Sequence, residues 1–433
     1  MEWQRMERYA FCHFGPNTFT GREWGEGTEN PEVFDPKHLD CRQWAHTFKL
    51  AGFKGIIITA KHHDGFCLWP SDFSSHTVAQ SKWKNGKGDV LRDLSKACKA
   101  EGLKMGVYLS PWDRNHPQYG TPQYNSVFKS MLREVLTHYG PIFEVWFDGA
   151  NGEGSNGKKQ VYDWPGFIQV VRECQPNAVI FSDAGPDIRW VGNEDGYAGE
   201  TNWATLDKSK FSPGHADQAV LNAGDENGQD YVPSECDVSI RPGWFWRASE
   251  DSKVKSLDKL MDIYYGSVGR GSNLLLNVPP NAEGRISDVD SKRLLEFNKA
   301  TEGDFSKPLN AGVVFGNGEP KFAGKYHSYF YTLDHWGPDV ALTFDFGDRR
   351  KFDRARLRED VSQGQRAKRW ELQAETDSGW KTFISGTTIG PQRLLRFAAQ
   401  EARHVRFVLL DAKAPVTLND IKFFRSPAID REE

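Results

Sequence analysis

The chain has 433 residues, 38% of them apolar and 26% charged, which is material for about two to four folded units at the usual domain size. This length excludes a single small module, and the apolar content excludes a wholly disordered chain. The 55 Lys and Arg against 59 Asp and Glu give a net charge of −4, which creates no general attraction for nucleic acid. No run approaches the roughly 18 to 20 apolar residues of a membrane span. We therefore expect neither nucleic acid nor a membrane as partner.

The beginning of the chain and its cysteines bear on the compartment. Residues Met1–Arg5 lack the apolar core of a signal peptide, although a cleaved leader leaves no trace in a mature chain. The six cysteines stand singly, without CxxC pairs or zinc-finger spacing, which favours buried free thiols over a disulfide framework. We expect a periplasmic or secreted protein that is a monomer or a weak oligomer.

From residue 8 to about 300, short apolar runs alternate with amphipathic helical patterns, the rhythm of β/α units. Helices are predicted from the cap at Asp40 to Gly52, from the cap at Asp89 to Gly102, and over 125–139 and 254–265. Strands are predicted over 9–15, 55–60, 103–109, 143–148, 178–182, 188–191, around 244–246, and over 273–278. The pattern lacks a Gly-rich phosphate fingerprint and predicts an imperfect (β/α)8 barrel instead of an open doubly wound sheet.

Beyond about residue 300, short runs alternate apolar and polar residues, and helical stripes are scarce. The runs cover 339–346, 369–374, 380–384, 404–410 and 416–424. Period-two runs separated by Gly and Asp turns predict a β-sandwich. A boundary near Gly303–Leu309 would divide the chain into a barrel over 1–303 and a C-terminal β-sandwich over 304–433.

Two carboxylates stand where a barrel of this kind collects its active site, at the carboxyl ends of strands. Asp148 ends the fourth predicted strand, directly after its apolar run, and Glu194 follows the sixth. One ionised carboxyl to attack and one protonated carboxyl to donate are what a retaining glycosidase requires. For either residue alone, a helix cap or a loop hydrogen bond is the ordinary explanation.

Histidine also stands at the ends of two of these strands, as His13 near the end of the first and as His62-His63-Asp64 just after the second. This last triplet has the donor types of a zinc site, but adjacent strand residues point to opposite sides and two-His zinc motifs space their ligands apart. The spacing favours neutral imidazoles that exchange hydrogen bonds with vicinal hydroxyl groups. We expect no metal and no cofactor.

Tryptophan is used 15 times, and all but Trp336, Trp370 and Trp380 precede position 250. Such an excess fits core packing, and it also fits stacking against the apolar faces of sugar rings. The candidates for stacking before position 250 are Trp24, Trp69, Trp146, Trp244 and Trp246. The favoured role of the C-terminal unit is to brace the barrel. The alternative is that this unit binds glycan through one of its three tryptophans.

Five segments in order carry a family pattern: His13-Phe14-Gly15, Glu23-Trp24, KHHDGF at 61–66, VWFDG at 145–149 and NLLLNVPP at 273–280. Together they resemble the α-L-fucosidases of glycoside hydrolase family 29. The resemblance implies a retaining, metal-independent exo-enzyme acting on a fucosylated oligosaccharide, with a (β/α)8-like barrel and a C-terminal β-sandwich. It implies Asp148 as the nucleophile. The implied fucose pocket consists of His13, Glu23, Trp24, His62, His63, Tyr108, Trp146 and, as a weaker member, Trp244.

The acid/base varies in position within that family. Here Gly192-Asn193-Glu194, with the segments at 200–203 and 239–244, is similar to the branch selective for α-1,3/1,4-linked fucose on branched oligosaccharides. This similarity implies Glu194 as the acid/base, with Glu200 and Glu235 as fallback choices. The alternatives are a broad-specificity α-L-fucosidase, a retaining glycosidase for another sugar on the same barrel, and a catalytically inactive glycan-binding relative.

Overall fold

The computed structural model describes residues 2–215, 217–315, 331–335, 337–338 and 341–427. Within them, eight parallel strands close into a barrel, with each strand beside the next and the eighth beside the first. The strands are β1 Arg8–Cys12, β2 Gly55–Lys61, β3 Lys104–Leu109, β4 Ile142–Trp146, β5 Val179–Ser182, β6 Ile188–Trp190, β7 Ser234–Ser239 and β8 Asn273–Asn277. The predicted barrel is confirmed.

The predicted seventh strand around Trp244–Trp246 is wrong, because those residues lie in the loop after β7. The true strand pairs in parallel with β8, with Glu235 beside Asn273. Its sequence is Ser-Glu-Cys-Asp-Val-Ser, in which four of the six residues are polar, so no apolar run marks it. The side chain of Glu235 lies inside the barrel, where it contacts β1 and β4.

The helices of the described chain are α1 Pro16–Thr20, α2 Cys41–Leu50, α3 Val90–Glu101, α4 Pro122–His138, α5 Trp164–Cys174, α6 Gln218–Ala223, α7 Leu257–Gly266 and α8 Asp288–Phe305. The caps at Asp40 and Asp89 are confirmed, since each carboxylate accepts from backbone N–H groups of the first turn. The helix predicted over 254–265 begins later, because Ser256 caps it.

An aromatic layer fills the inside of the barrel beneath the carboxyl ends of the strands. Phe11, Tyr108, Trp146 and Phe181 pack together there, and the Trp146 and Phe181 rings stack with centroids 4.0 Å apart. A separate apolar cluster joins the outer faces of the strands to the helices. The inner layer thus provides a rigid support for side chains above it.

After α8, seven antiparallel strands of the described chain form one sheet. They are β9 Gly312–Phe315, β10 Tyr331–Leu333, β11 Leu342–Glu359, β12 Ala367–Thr376, β13 Gly379–Gly386, β14 Arg393–Ala412 and β15 Val416–Phe424. The first two positions of the strand predicted over 339–346 lie outside the described residues.

This C-terminal sheet doubles over into two layers. The Phe344 ring lies 5.5 Å from the ring of Phe423, yet Phe423 pairs with Ala355. A straight strand would put Ala355 ~36 Å from Phe344 at about 3.3 Å per residue. The strand β11 bends where its register shifts between Asp345 and Arg350. The predicted β-sandwich architecture is confirmed.

Several individual residues follow the expectations from the sequence. All six cysteines are free thiols, and all but Cys174 are buried. Trp370 is fully buried in the C-terminal core and Trp380 lies beneath the guanidinium of Arg406, whereas Trp336 is outside the described residues. None of the helices in the described part of the chain combines the length and apolarity of a membrane span.

Candidate active site

A cavity of about 640 Å³ opens at the carboxyl ends of the barrel strands. Residues after β4, after β6 and on β7 line it together with two loops. Its lining includes Trp146, Asp148, Gly149, Tyr162, Trp164, Asp183, Trp190, Glu194, Pro213, His215 and Asp237. The two carboxylates singled out from the sequence, Asp148 and Glu194, therefore face the same space.

Asp148 lies two residues beyond β4, with its side chain 25% exposed. The Tyr108 hydroxyl donates to its Oδ2 at 3.0 Å, and the backbone N–H of Ala150 donates to its Oδ1 at 2.8 Å. The Nε2 atom of His63 lies 3.7 Å from Oδ2. Each carboxylate oxygen thus accepts from a donor, which fixes the orientation of the group.

Glu194 lies on a turn beyond β6, at the exposed rim of the cavity. Desolvation by the surrounding residues raises the pKa of Glu194, and the negative charge of Asp148 raises it further, while a hydrogen bond from Trp244 acts in the opposite direction. The two carboxyl groups therefore differ in environment. Asp148 accepts hydrogen bonds from two donors, whereas the raised pKa of Glu194 makes that carboxyl retain a proton more readily.

The tautomer of His13 follows from its partner Asn277. The amide nitrogen of Asn277 donates to Ser239 Oγ at 2.9 Å and to the carbonyl of Trp244 at 2.8 Å. Its oxygen, 2.9 Å from His13 Nδ1, must then accept a proton from that nitrogen. Burial lowers the pKa of His13 to about 3, so the ring is neutral and Nε2 is left as an acceptor.

His63 is oriented in the same way by Ser110. The Ser110 hydroxyl donates to the Trp112 carbonyl at 2.8 Å, so it accepts from His63 Nδ1 at 2.7 Å. Burial lowers the pKa of His63 to about 4, which leaves its Nε2 as an acceptor beside Asp148. Burial also lowers the pKa of His62 well below its usual value, and the Nδ1 of His62 has no partner among the described residues. The cluster offers acceptors suited to hydroxyl groups.

Ring contacts join most of the predicted pocket residues into one cluster. His62 stacks on Tyr108, Tyr108 stacks on Trp146, and the Trp244 ring lies 5.0 Å from the His13 ring. Glu23 holds the loop of Trp244, because its Oε2 accepts from the Trp244 backbone N–H at 3.0 Å.

Among the stacking candidates, Trp24 and Trp69 have opposite environments. Trp24 is 57% exposed and lies beside His63 and Trp112 at the rim. Trp69 is fully buried, and its indole N–H donates to Glu134 at 2.9 Å. Trp69 is therefore a core residue and does not contribute a stacking surface.

The two fallback choices for the acid/base do not line the cavity. Glu235 is fully buried inside the barrel, where it accepts from the Trp146 indole at 2.9 Å and from the Tyr9 hydroxyl. Glu200 forms an ion pair with Arg270 at 2.5 Å. The geometry therefore favours Glu194.

Two further carboxyl groups that line the cavity, Asp183 and Asp237, were not predicted from the sequence. Asp183 follows β5 as Asp148 follows β4, so the same strand-end rule could have found it. It accepts from the backbone N–H of Gly214, and burial raises the pKa of Asp183 to about 6. Asp237 accepts from the Trp190 indole at 2.8 Å, and burial raises the pKa of Asp237 well above its usual value. Finding Asp237 required the position of β7.

A second cavity, of about 670 Å³, lies at the opposite end of the barrel. Residues before β1, the start of β8 and the C-terminal sheet line it, including Gln4, Asn273 and Arg358. Active sites of such barrels lie at the carboxyl ends of the strands. The cavity with Asp148 and Glu194 is therefore the candidate active site.

Comparison with known proteins agrees with this geometry. The family profile for α-L-fucosidase matches residues 2–302. The chain belongs to the α-L-fucosidase family. Alpha-L-fucosidase 1 of Arabidopsis thaliana is 44% identical over 428 residues, covering 95% of this chain and 84% of that protein.

Solved structures place the chain in glycoside hydrolase family 29. A family 29 member from an unknown rumen bacterium is 43% identical with a TM-score of 0.88, over 98% of this chain and 76% of that one. A family 29 fucosidase of Ruminococcus gnavus, solved in complex with fucose, is 32% identical with a TM-score of 0.88, over 98% and 94% of the two chains. The predicted family is confirmed, and the activity is that of an α-L-fucosidase, a glycoside hydrolase acting on fucosylated glycans.

Proposed function

We propose that this α-L-fucosidase releases terminal fucose with net retention, with Asp148 as nucleophile and Glu194 as acid/base. The observation that carries the proposal is that both carboxyl groups line one cavity in contrasting environments. Asp148 accepts from Tyr108 and from a backbone N–H, whereas desolvation raises the pKa of Glu194. A nucleophile needs the first environment, and a general acid needs the second.

In the first displacement, an Asp148 oxygen attacks the anomeric carbon of the fucosyl unit. A bond forms from that oxygen to the carbon, and the bond from the carbon to the glycosidic oxygen breaks. Glu194 gives its proton to the departing oxygen, so the aglycone leaves as an alcohol. The products are a fucosyl ester of Asp148 and an ionised Glu194.

In the second displacement, water attacks the same carbon and Glu194 takes the proton from it. Asp148 no longer carries a negative charge once it is an ester. Desolvation still raises the pKa of Glu194, but the repulsion by Asp148 that adds to it in the free enzyme is then absent, so the ionised form is favoured more and Glu194 is better suited to act as a base. Release of Asp148 as carboxylate restores the starting state, with the anomeric configuration retained.

The proposed fucose pocket is the cluster beside Asp148. His13 and His63 present Nε2 acceptors to ring hydroxyl groups, and Tyr108 and Trp146 supply an apolar surface. The remaining members, as proposed from the family motifs, are Glu23, Trp24, His62 and Trp244. Binding by neutral imidazoles requires no charged partner, which suits an uncharged sugar.

We also propose selectivity for α-1,3/1,4-linked fucose on branched glycans. The support is the Gly192-Asn193-Glu194 segment together with the extent of the cavity, which continues past Asp148 to the aromatic residues Tyr162 and Trp164. Such a cavity has room for aglycone sugars beyond the fucosyl unit.

The test is a time course of hydrolysis followed by proton NMR. We expect α-L-fucose to form first and then to mutarotate, whereas β-L-fucose as the first product would overturn the retaining mechanism. A panel of fucosylated trisaccharides tests linkage: α-1,3 and α-1,4 linkages should be cleaved with much higher kcat/KM than α-1,2. Equal values on all three would identify a broad-specificity enzyme.

A further inference from the structure

The segment 200–204, which follows the turn of Glu194, is bonded to the C-terminal sheet. The backbone N–H of Asn202 donates to Thr388 Oγ1 at 3.0 Å, and its carbonyl accepts from Gln365 Nε2 at 2.9 Å. The backbone N–H of Ala204 donates to Gln365 Oε1 at 2.9 Å. Gln365 and Thr388 are buried. Two side chains from loops between strands of the C-terminal sheet thus satisfy three backbone groups of a barrel loop.

The start of the same segment is held by the sheet as well. The carbonyl of Glu200 accepts from Arg393 Nη1 at 2.8 Å and from the Thr387 hydroxyl at 3.1 Å. The hydroxyl of Thr201 donates to that of Thr387 at 2.9 Å. Thr387 lies in the loop before β14, and Arg393 is the first residue of β14. The same end of the sheet therefore bonds to the start of segment 200–204 as well as to its middle and end.

Arg189 connects this segment to the strand that leads to Glu194. Arg189 lies on β6 and is fully buried, and its Nη2 donates to Asn202 Oδ1 at 3.0 Å and to the carbonyl of Trp203 at 2.9 Å. Burial lowers the pKa of Arg189 to about 10. A movement of segment 200–204 would therefore disturb a buried cation at the base of the turn.

The turn that carries Glu194 is closed by hydrogen bonds from two asparagine side chains. Asn193 donates from Nδ2 to the carbonyl of Tyr197 at 2.8 Å and accepts from the backbone N–H of Asp195 at 3.1 Å. Asn222 bridges the two sides, with Nδ2 donating to the carbonyls of Val191 at 3.2 Å and Tyr197 at 2.9 Å. Glu194 therefore projects from a closed turn whose first side is β6 and whose second side leads to segment 200–204.

We propose that the C-terminal sheet positions the acid/base of this enzyme, with Gln365 and Thr388 as positioning residues that act on Glu194 through segment 200–204. The inference rests on the proposed function, in which Glu194 protonates the leaving group. Proton transfer requires the carboxyl group within hydrogen-bond reach of the glycosidic oxygen, and small displacements of such a group are costly. The nucleophile has no such dependence, since its donors, Tyr108 and Ala150, belong to the barrel.

The test compares two substrates in Gln365→Leu and Thr388→Val. A fucosylated trisaccharide has a poor leaving group and needs the acid, whereas 2,4-dinitrophenyl α-L-fucoside has a good leaving group and does not. We expect kcat/KM on the trisaccharide to fall by about tenfold or more, a fraction of the 10²–10⁴-fold contribution of a general acid. On the aryl fucoside, we expect a change of less than about twofold.

Ser426→Ala is the matched control. The Ser426 hydroxyl is buried and donates to Asp304 Oδ1 at 2.6 Å, so this variant also removes a contact between the sheet and the barrel, but on helix α8 and away from the turn. We expect it to change kcat/KM on both substrates by the same factor. Cooperative thermal unfolding of each variant establishes that it is folded, and Thr388→Val provides the decision if Gln365→Leu does not fold.

Glu194→Ala, measured alongside, separates the two hypotheses. In one outcome, Glu194→Ala loses activity on the trisaccharide only, whereas the folded Gln365→Leu and Thr388→Val variants lose activity equally on both substrates or lose none. This outcome overturns the positioning role and leaves the proposed function standing. If Glu194→Ala itself affects both substrates equally, the assignment of the acid/base fails first. A selective loss on the trisaccharide in both sheet variants, absent from Ser426→Ala, supports the positioning role.

Discussion

Replacing Glu194 with alanine removes the proposed acid and leaves the nucleophile intact. Asp148 keeps its contacts with Tyr108 and the Ala150 backbone, because neither involves Glu194. A general acid contributes about 10² to 10⁴ in rate, or ~2.7 to 5.4 kcal/mol of transition-state stabilisation at 1.36 kcal/mol per tenfold. Since Glu194 lies at the exposed rim, its removal creates no buried cavity, and we expect the folded structure to persist.

The assay again uses substrates of different leaving group. On fucosylated trisaccharides, kcat/KM should fall by about the full 10² to 10⁴, whereas the first step on 2,4-dinitrophenyl α-L-fucoside should be nearly unchanged. Hydrolysis of the ester would then be slow for want of a base. Azide needs no deprotonation, so it should restore turnover and give a fucosyl azide of α configuration.

Two results would refute this reasoning about Glu194. A β-configured azide would mean that azide replaces a nucleophile, and the roles of Glu194 and Asp148 would be exchanged. Full activity of the variant on trisaccharides would mean that another group donates the proton. Asp237, which lines the same cavity and whose pKa burial raises well above its usual value, would then be the leading candidate.

Other variants test the remaining assignments. Asp148→Asn should fold normally yet lower kcat by several orders of magnitude in steady-state assays, because an amide cannot form the ester. Trp24→Ala should raise KM while shifting the free energy of unfolding by less than about 0.5 kcal/mol, whereas Trp69→Phe should lower that free energy by about 1 to 3 kcal/mol and leave kcat/KM unchanged. Denaturant titrations at several pH values test His63, whose pKa burial lowers to about 4. The unfolded chain protonates near pH ~6.5, so stability should fall as pH drops from there towards 4, with a shallower slope in His63→Gln. An equal slope would contradict a buried neutral imidazole.

The sequence was most informative where local chemistry determines the structure. The caps at Asp40 and Asp89 marked two helix starts, and apolar runs marked most of the barrel strands. The strand β7 was missed because Glu235 and Asp237 break its apolar pattern. Their burial depends on hydrogen-bond partners on other strands, Trp146 and Trp190. The sequence around β7 does not reveal these contacts.

The candidate site also combines features that local sequence predicts with features that depend on residues distant in the chain. Asp148 and the histidines could be placed from their positions at strand ends, because parallel strands bring these ends together. The protonation and tautomers of His13 and His63 could not be predicted, since they depend on Asn277 and Ser110. Asp183 was predictable in principle, because it follows β5 directly.

The two proposed catalytic carboxylates also differ in how the chain supports them. Asp148 takes its donors from Tyr108 on β3 and from its own loop, so both donors belong to the barrel and lie within 40 positions of it. Glu194 projects from a turn that leads into segment 200–204, where Asn202 bonds to Gln365 and Thr388, more than 150 positions away. The hydrogen bonds around the Glu194 loop thus reach farther along the sequence than the donors of Asp148 do. This asymmetry gives a physical reason why the resemblance implied the role of Asp148 from one motif, while the proposed acid/base required a separate argument.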